Sequence, residues 1–366
     1  MSTQSNRILS VDALRGFDMF WILGIDALAN KMYDASANPF TTFFKTQMDH
    51  VEWTGFHFYD IIMPLFLFIV GVAMPFSVLK RLEKGDSKKE IYLHIIKRVI
   101  LLWILGMMVQ GNLFTYDIHQ IKFYSNTLQA IASGYLITSM IILNMKKIGQ
   151  IVSVAVLLLV YWLCVALIPI PGQGAGIMTP QMNLCIYIDR SVFGSFQNGT
   201  TYSWILSSLN FAGTTMLGVF AGYFLKSNDK EMKKFWKLLI TGLALFGVSL
   251  IWHQSHPIVK HIWTSSFVLF SGGICFVLMA VFYLIVDVWK FQKWTFPFIV
   301  IGSNAILAYL ISHLTGWRMG ALANIVLGGF KQWTGAWQPA IEIAGGVVLI
   351  YGVLLYCYRK KIFLKI

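Results

Sequence analysis

Charged residues are few: Asp, Glu, Lys and Arg make up 12% of the 366 residues, against roughly 25% in a soluble globular domain. Polar stretches long enough to fold separately are also lacking, because apolar runs recur from end to end. These absences exclude a soluble enzyme and point to one membrane-embedded domain over 1–366. The four cysteines (Cys164, Cys185, Cys275, Cys357) are scattered without a CxxC pair, which speaks against a disulfide framework or a metal site. No removable signal peptide is expected, since residues 1–10 are polar and no small-residue cleavage site follows the first apolar run. Apolar residues, by contrast, are abundant. They form 57% of the chain, with a mean hydropathy of +0.66.

A helix needs about 20 apolar residues to cross the hydrocarbon core. Ten stretches qualify: 11–29, 59–79, 99–114, 126–144, 150–168, 203–225, 238–254, 262–286, 296–314 and 338–358. The expected fold is therefore all-α and polytopic, with about ten transmembrane helices. Of the 29 Lys and Arg, 22 fall on one side: the N-terminal arm, loops 80–98, 145–149, 226–237 and 287–295, and the tail. Excess basic charge marks the cytoplasmic side, so both termini are expected there, in an inner membrane. The net charge of +13 thereby orients the chain in a lipid bilayer, and no nucleic-acid partner is expected.

Ionisable residues within a membrane are costly and by default mark function. Asp12, Arg15 and Asp18 follow at i,i+3 on one helical face, where Asp12 and Arg15 can pair at the helix entry. Asp18 and Asp26 sit deeper and must face protein or water, as must Glu342. Seven of the eight histidines (His50, His57, His119, His253, His256, His261, His313) fall on or near the outer side. Together they suggest a polar outer vestibule suited to proton transfer. His253 and His256 have i,i+3 spacing, but Pro257 breaks the helix and no carboxylate is adjacent, so no metal is expected.

The densest polar cluster lies in "HVEWTGFHFYDIIMPLFLFIVG", residues 50–71, where Asp60 leads a run free of charge until Lys80. Were 50–60 helical, His50, Trp53, His57 and Asp60 would form one stripe. Gly55 argues against an unbroken helix, so only proximity is expected. Asp60 can orient an imidazole, and with no serine or cysteine nucleophile beside them a His–Asp pair suits a general base acting on an amine or hydroxyl.

With "SVDALRG" at 10–16, this block resembles the heparan-α-glucosaminide N-acetyltransferase family and its bacterial relatives. Further matches are "LQAIASGYLI" at 128–137, "GTTMLGVFAGYFL" at 213–225, "IWTSSFVLFSGG" at 262–273 and "GSNAILAYLISH" at 302–313. The resemblance implies an acyltransferase that moves an acetyl group from cytoplasmic acetyl-CoA to an amino sugar or glycan end outside. It places His50 as the catalytic base, with Asp60 orienting it; direct transfer and an acetyl-histidine route both stay open. Glu52, Trp53, Trp263, Thr264, Ser265, Asn304 and His313 are then expected near the acceptor or carbonyl. Arg15, Lys97, Arg98 and Gln129 are expected toward acetyl-CoA. Two departures stand out: Ala130 replaces a common arginine, and "QNGTTYSW" replaces an acidic motif. A homodimer is compatible with the sequence. The alternative function is a proton-coupled transporter of an amino sugar or similar solute, although no matched pair of short, Gly/Pro-broken spans is seen.

Overall fold

The computed structural model describes residues 8–197, 199–316 and 318–364. The polar arm through residue 7 and the last two residues, which contribute to the basic asymmetry, lie outside the described residues. Among the described residues, sixteen α-helices follow in order. They are α1 (Leu9–Ile22), α2 (Ile25–Ala35), α3 (Pro39–Met48), α4 (Ile62–Glu83), α5 (Lys88–Val109), α6 (Thr127–Asn144), α7 (Lys147–Leu167) and α8 (Leu184–Phe193). The second half adds α9 (Ser207–Lys226), α10 (Glu231–His253), α11 (Ser265–Phe282), α12 (Phe296–Ser303), α13 (Ala305–Thr315), α14 (Arg318–Leu327), α15 (Lys331–Thr334) and α16 (Gln338–Arg359). Two compact units result: among the described residues, 8–51, 57–62 and the described part of 281–364 form one, and those of 52–56 and 63–280 the other.

In the first unit α1 lies along α12 with backbones touching. A Cβ on Gly16 would fall 1.7 Å from the Phe298 carbonyl oxygen, and one on Gly302 would fall 2.5 Å from that of Asp12. Only glycine permits this approach, which is how small residues pack helices in a membrane. Asp287 accepts a hydrogen bond from the Ser10 N–H at 3.1 Å, satisfying a donor left open at the start of α1. The α1–α2 break falls at Gly24, whose φ of +112° is left-handed. There the Ser312 hydroxyl donates to the Ile22 carbonyl at 2.7 Å. A capping box of Asn38 and Thr41, with Pro39 at the first position, opens α3.

The second unit is built around α9, most of whose residues are buried. Gly71 of α4 and Gly218 of α9 meet as α1 and α12 do, their added Cβ atoms 1.9 Å from Thr215 O and 2.0 Å from Phe68 O. The outer faces of α7 and α10 remain apolar and exposed, with Ile151, Ile240 and Ile251 at 59%, 61% and 72%. Water would penalise such faces, and lipid does not.

Among the described residues seven helices are long and apolar enough to cross a membrane, or eight if the bent pair 293–315 is one span. The protein is thus an all-helical polytopic membrane protein, but among the described residues ten such helices are not found. α9 and the α1–α2 stretch are absent from that set. Protein surrounds α9, so its composition carries less of a lipid-facing signal. Two expected single spans are broken instead: 11–29 at Gly24, and 296–314 at Asn304, where the axis turns by 69°. The expected loop 80–98 is largely helical, since Ser87 and Glu90 form a capping box that starts α5 at Lys88.

Candidate functional site

Residues 50–57 are not helical. The chain leaves α3 in extended conformation at Asp49, turns at Gly55 with φ +123°, and re-enters helix through a short 3-10 turn, Phe58–Ile61. That turn fixes Asp60, which is fully buried. One carboxylate oxygen, Oδ2, accepts the His57 N–H at 2.9 Å and the Val51 N–H at 3.3 Å. The other, Oδ1, faces Nδ1 of His50 at 2.8 Å. Backbone N–H donors favour the ionised carboxylate, and a carboxylate only accepts. His50 therefore carries its proton on Nδ1, which makes Nε2 the basic nitrogen of the ring. The His50 side chain is 39% exposed, so its ring is partly accessible from solvent.

His50 tilts over Tyr59, ring centres 5.0 Å apart. Tyr59 in turn lines a pocket of about 360 Å³ shared by Asp26, Ser312 and His313. His313 stacks on Tyr309 at 4.0 Å and donates from Nδ1 to the Tyr309 carbonyl at 3.0 Å, so its Nε2 too keeps a lone pair. The Asp26 carboxylate makes no hydrogen bond or ion pair among the described residues. A pocket lined by one carboxylate, one imidazole and apolar side chains, with His50 behind Tyr59, can hold a small amine-bearing ligand.

Of the expected residues, His50 and Asp60 meet directly, and His57 joins through its backbone while its ring bonds the Asp49 carbonyl at 3.1 Å. Trp53 does not join them: it belongs to the second unit, where its Nε1 donates to the Met178 carbonyl at 2.9 Å and its ring stacks on His261. Glu52, in the same segment, is exposed. Trp263, Thr264 and Ser265 are buried, with polar atoms bonded to other groups of the second unit. Trp263 Nε1 donates to the Thr214 hydroxyl at 3.1 Å, Thr264 donates to the Pro257 carbonyl at 2.9 Å and Ser265 to the Leu158 carbonyl at 2.7 Å. Asn304 holds the C-terminal segment, donating to Ile362 O at 2.7 Å and accepting from Leu364 N at 2.9 Å. His253 and His256 accept from Ile258 N and Ser265 N, and burial lowers the His256 pKa to about 4.

The residues expected toward acetyl-CoA also separate. Arg15 pairs with Asp12 at 3.4 Å. Gln129 is buried and braces the preceding loop through Ser125 N and Phe123 O, both at 2.8 Å. Lys97 and Arg98 lie on helix α5 and not in a loop, with Lys97 exposed. The Arg98 guanidinium sits 4.6 Å over the Tyr135 ring, and its buried Nε makes no hydrogen bond among the described residues. Tyr59 was not anticipated. Asp26 carried only the signal of an intramembrane carboxylate; its placement beside His313 required the fold.

Comparison with known proteins follows the same line. Heparan-alpha-glucosaminide N-acetyltransferase of Homo sapiens is 24% identical over 425 residues, covering 100% of this chain and 61% of that protein. Its counterpart in Mus musculus is 22% identical over 367 residues, covering 84% of this chain and 53% of that protein. The chain therefore spans somewhat over half the length of these curated relatives. A family described as a domain of unknown function, DUF5009, matches residues 7–201, and the chain belongs to that family.

Proposed function

We propose that the protein is a transmembrane N-acetyltransferase that carries an acetyl group from acetyl-CoA to an amino sugar or glycan end on the opposite side of the membrane. The observation that carries this reading is the His50–Asp60 pair, with Asp60 anchored by two backbone amides. His50 Nε2 takes the proton that the acceptor amine sheds as its nitrogen bonds the thioester carbonyl carbon. As the carbon–sulfur bond breaks, His50 returns that proton to the departing sulfur. Asp60 holds the ring in the required tautomer and stabilises the imidazolium between these events. The pocket beside Tyr59 receives the amine as an ammonium opposite Asp26, and the ammonium gives its extra proton to water before the nitrogen attacks.

Acetyl-CoA brings phosphates, which need cations with spare donors. Arg98 fits, since its Nε is buried and unbonded among the described residues, and Lys97 precedes it on α5. These two would hold phosphate oxygens by charge-assisted hydrogen bonds. The basic asymmetry of the loops supports both termini in the cytoplasm and an inner-membrane location. Single-cysteine labelling tests that orientation: loop 169–202 should react from outside and loop 226–237 only from inside.

A second reading has one observation in its favour. The broken α12–α13 span resembles the discontinuous helices of transporters, so the chain would then move an amino sugar or similar solute. One experiment separates the two. Purified protein is mixed with acetyl-CoA and a panel of amino sugars, and free CoA and N-acetylated product are followed. Matched release of both supports the enzyme. Neither product appearing, while the same preparation in vesicles takes up labelled sugar, assigns the transporter.

A further inference from the structure

Within the second unit a groove of about 770 Å³ runs between α7 and α10, with a floor from α9 and α11. Its walls are almost wholly apolar. Along α10 it extends from Lys237 to Trp252, about 22 Å at 1.5 Å per residue. That exceeds the roughly 15 Å that one leaflet contributes to a 30 Å hydrocarbon core. The groove has room for an extended acyl chain and opens on helix faces that already expose apolar side chains to lipid.

Its two ends differ. At one end Trp252 lines the groove and packs edge-on against Trp162 at 5.6 Å, as aromatic residues do at a membrane interface. The other end holds Lys147 and Lys237. Lys147 sits 5.5 Å over the Tyr223 ring, and no carboxylate lies within ion-pair distance of it among the described residues. Lys237 donates to Asp229, but Asp229 also takes Lys233 at 2.8 Å. One carboxylate shared by two lysines, beside a third lysine with none, leaves net positive charge where the apolar groove ends.

We propose that this groove is a binding site for an anionic phospholipid, with an acyl chain along α7 and α10 and the phosphate at Lys147 and Lys237. A neutral headgroup would leave that charge uncompensated at the edge of hydrocarbon. An anionic one supplies the missing partner, worth about fivefold in affinity per lysine.

The test gives detergent-purified protein phosphatidylglycerol or phosphatidylcholine with identical chains and reads retained lipid by native mass spectrometry. Wild-type protein should retain phosphatidylglycerol preferentially. Lys147→Gln, at an exposed position, should cut that preference about fivefold. Ala155→Phe, which fills the groove without altering charge, should cut phosphatidylglycerol retention too. Folding of both variants is checked by their melting temperature. Equal retention of the two lipids by wild type, or wild-type phosphatidylglycerol retention in either folded variant, overturns the assignment. Displacement of the bound lipid by a long-chain acyl-CoA at equimolar concentration would assign the groove to an acyl thioester instead and also overturn it.

Discussion

Nδ1 of His50 lies 2.8 Å from Oδ1 of Asp60, while the second oxygen of Asp60 is held by the amides of His57 and Val51. The carboxylate is thus fixed by backbone on one side and fixes an imidazole on the other. An amide in its place could present either its oxygen or its NH₂ to His50, so the tautomer would no longer be specified. We predict that Asp60→Asn lowers the acetyl-transfer rate by about 10²- to 10⁴-fold, measured as initial-rate CoA release. A variant within twofold of wild type would remove Asp60 from the mechanism.

The pocket makes a separate prediction about the acceptor. Asp26 faces it together with His313 and Tyr59, and a carboxylate hydrogen-bonded to an ammonium is worth about 1.5–3 kcal/mol. Asp26→Asn should therefore raise KM for the amine acceptor by roughly 10- to 100-fold, with kcat and the KM for acetyl-CoA less affected. An unchanged acceptor KM would place the amine elsewhere.

Much of this was legible in the sequence. Apolar runs and sparse charge identified the fold class, because both follow from lipid as a solvent. His50 and Asp60 stood out because a histidine and a carboxylate at the mouth of a span are costly unless used. The breaks at Gly24 and Asn304 were hidden, since glycine and asparagine also occur inside continuous spans. Lys97 and Arg98 read as loop because α5 starts with a polar, capped turn ahead of its apolar run. Trp53 looked like a neighbour of His50 by spacing, but the turn at Gly55 sends its segment to His261 and Met178. Above all, Asp26, Tyr59 and His313 are far apart in sequence, and only tertiary packing brings them to one pocket.

Stability should show a pH signature at His256. Burial lowers its pKa from 6.5 to about 4, so below 6.5 the unfolded chain binds a proton that the native one refuses. Its stabilising contribution, complete above pH 6.5, is lost as pH falls toward 4, by at most about 1.4 kcal/mol per pH unit. Asp189 acts oppositely. Burial raises its pKa from 3.8 to about 6, so the native state gains stability as pH falls through that window. The comparison must therefore be with His256→Gln, which can still accept from Ser265 N. We predict that the melting-temperature advantage of wild type over His256→Gln shrinks between pH 7 and pH 5; parallel profiles would show that His256 does not titrate in this way.

The central claim is that Nε2 of His50 removes the proton from the acceptor amine. The most direct measurement compares wild type with His50→Ala for N-acetylated amino sugar formed from acetyl-CoA, alongside the acetyl-CoA-induced rise in melting temperature. The His50 side chain is 39% exposed and contributes little packing. The variant should keep its fold and its melting-temperature shift, yet lose about 10²- to 10⁴-fold in product formation. Full acetyl transfer by a folded His50→Ala protein would contradict the account.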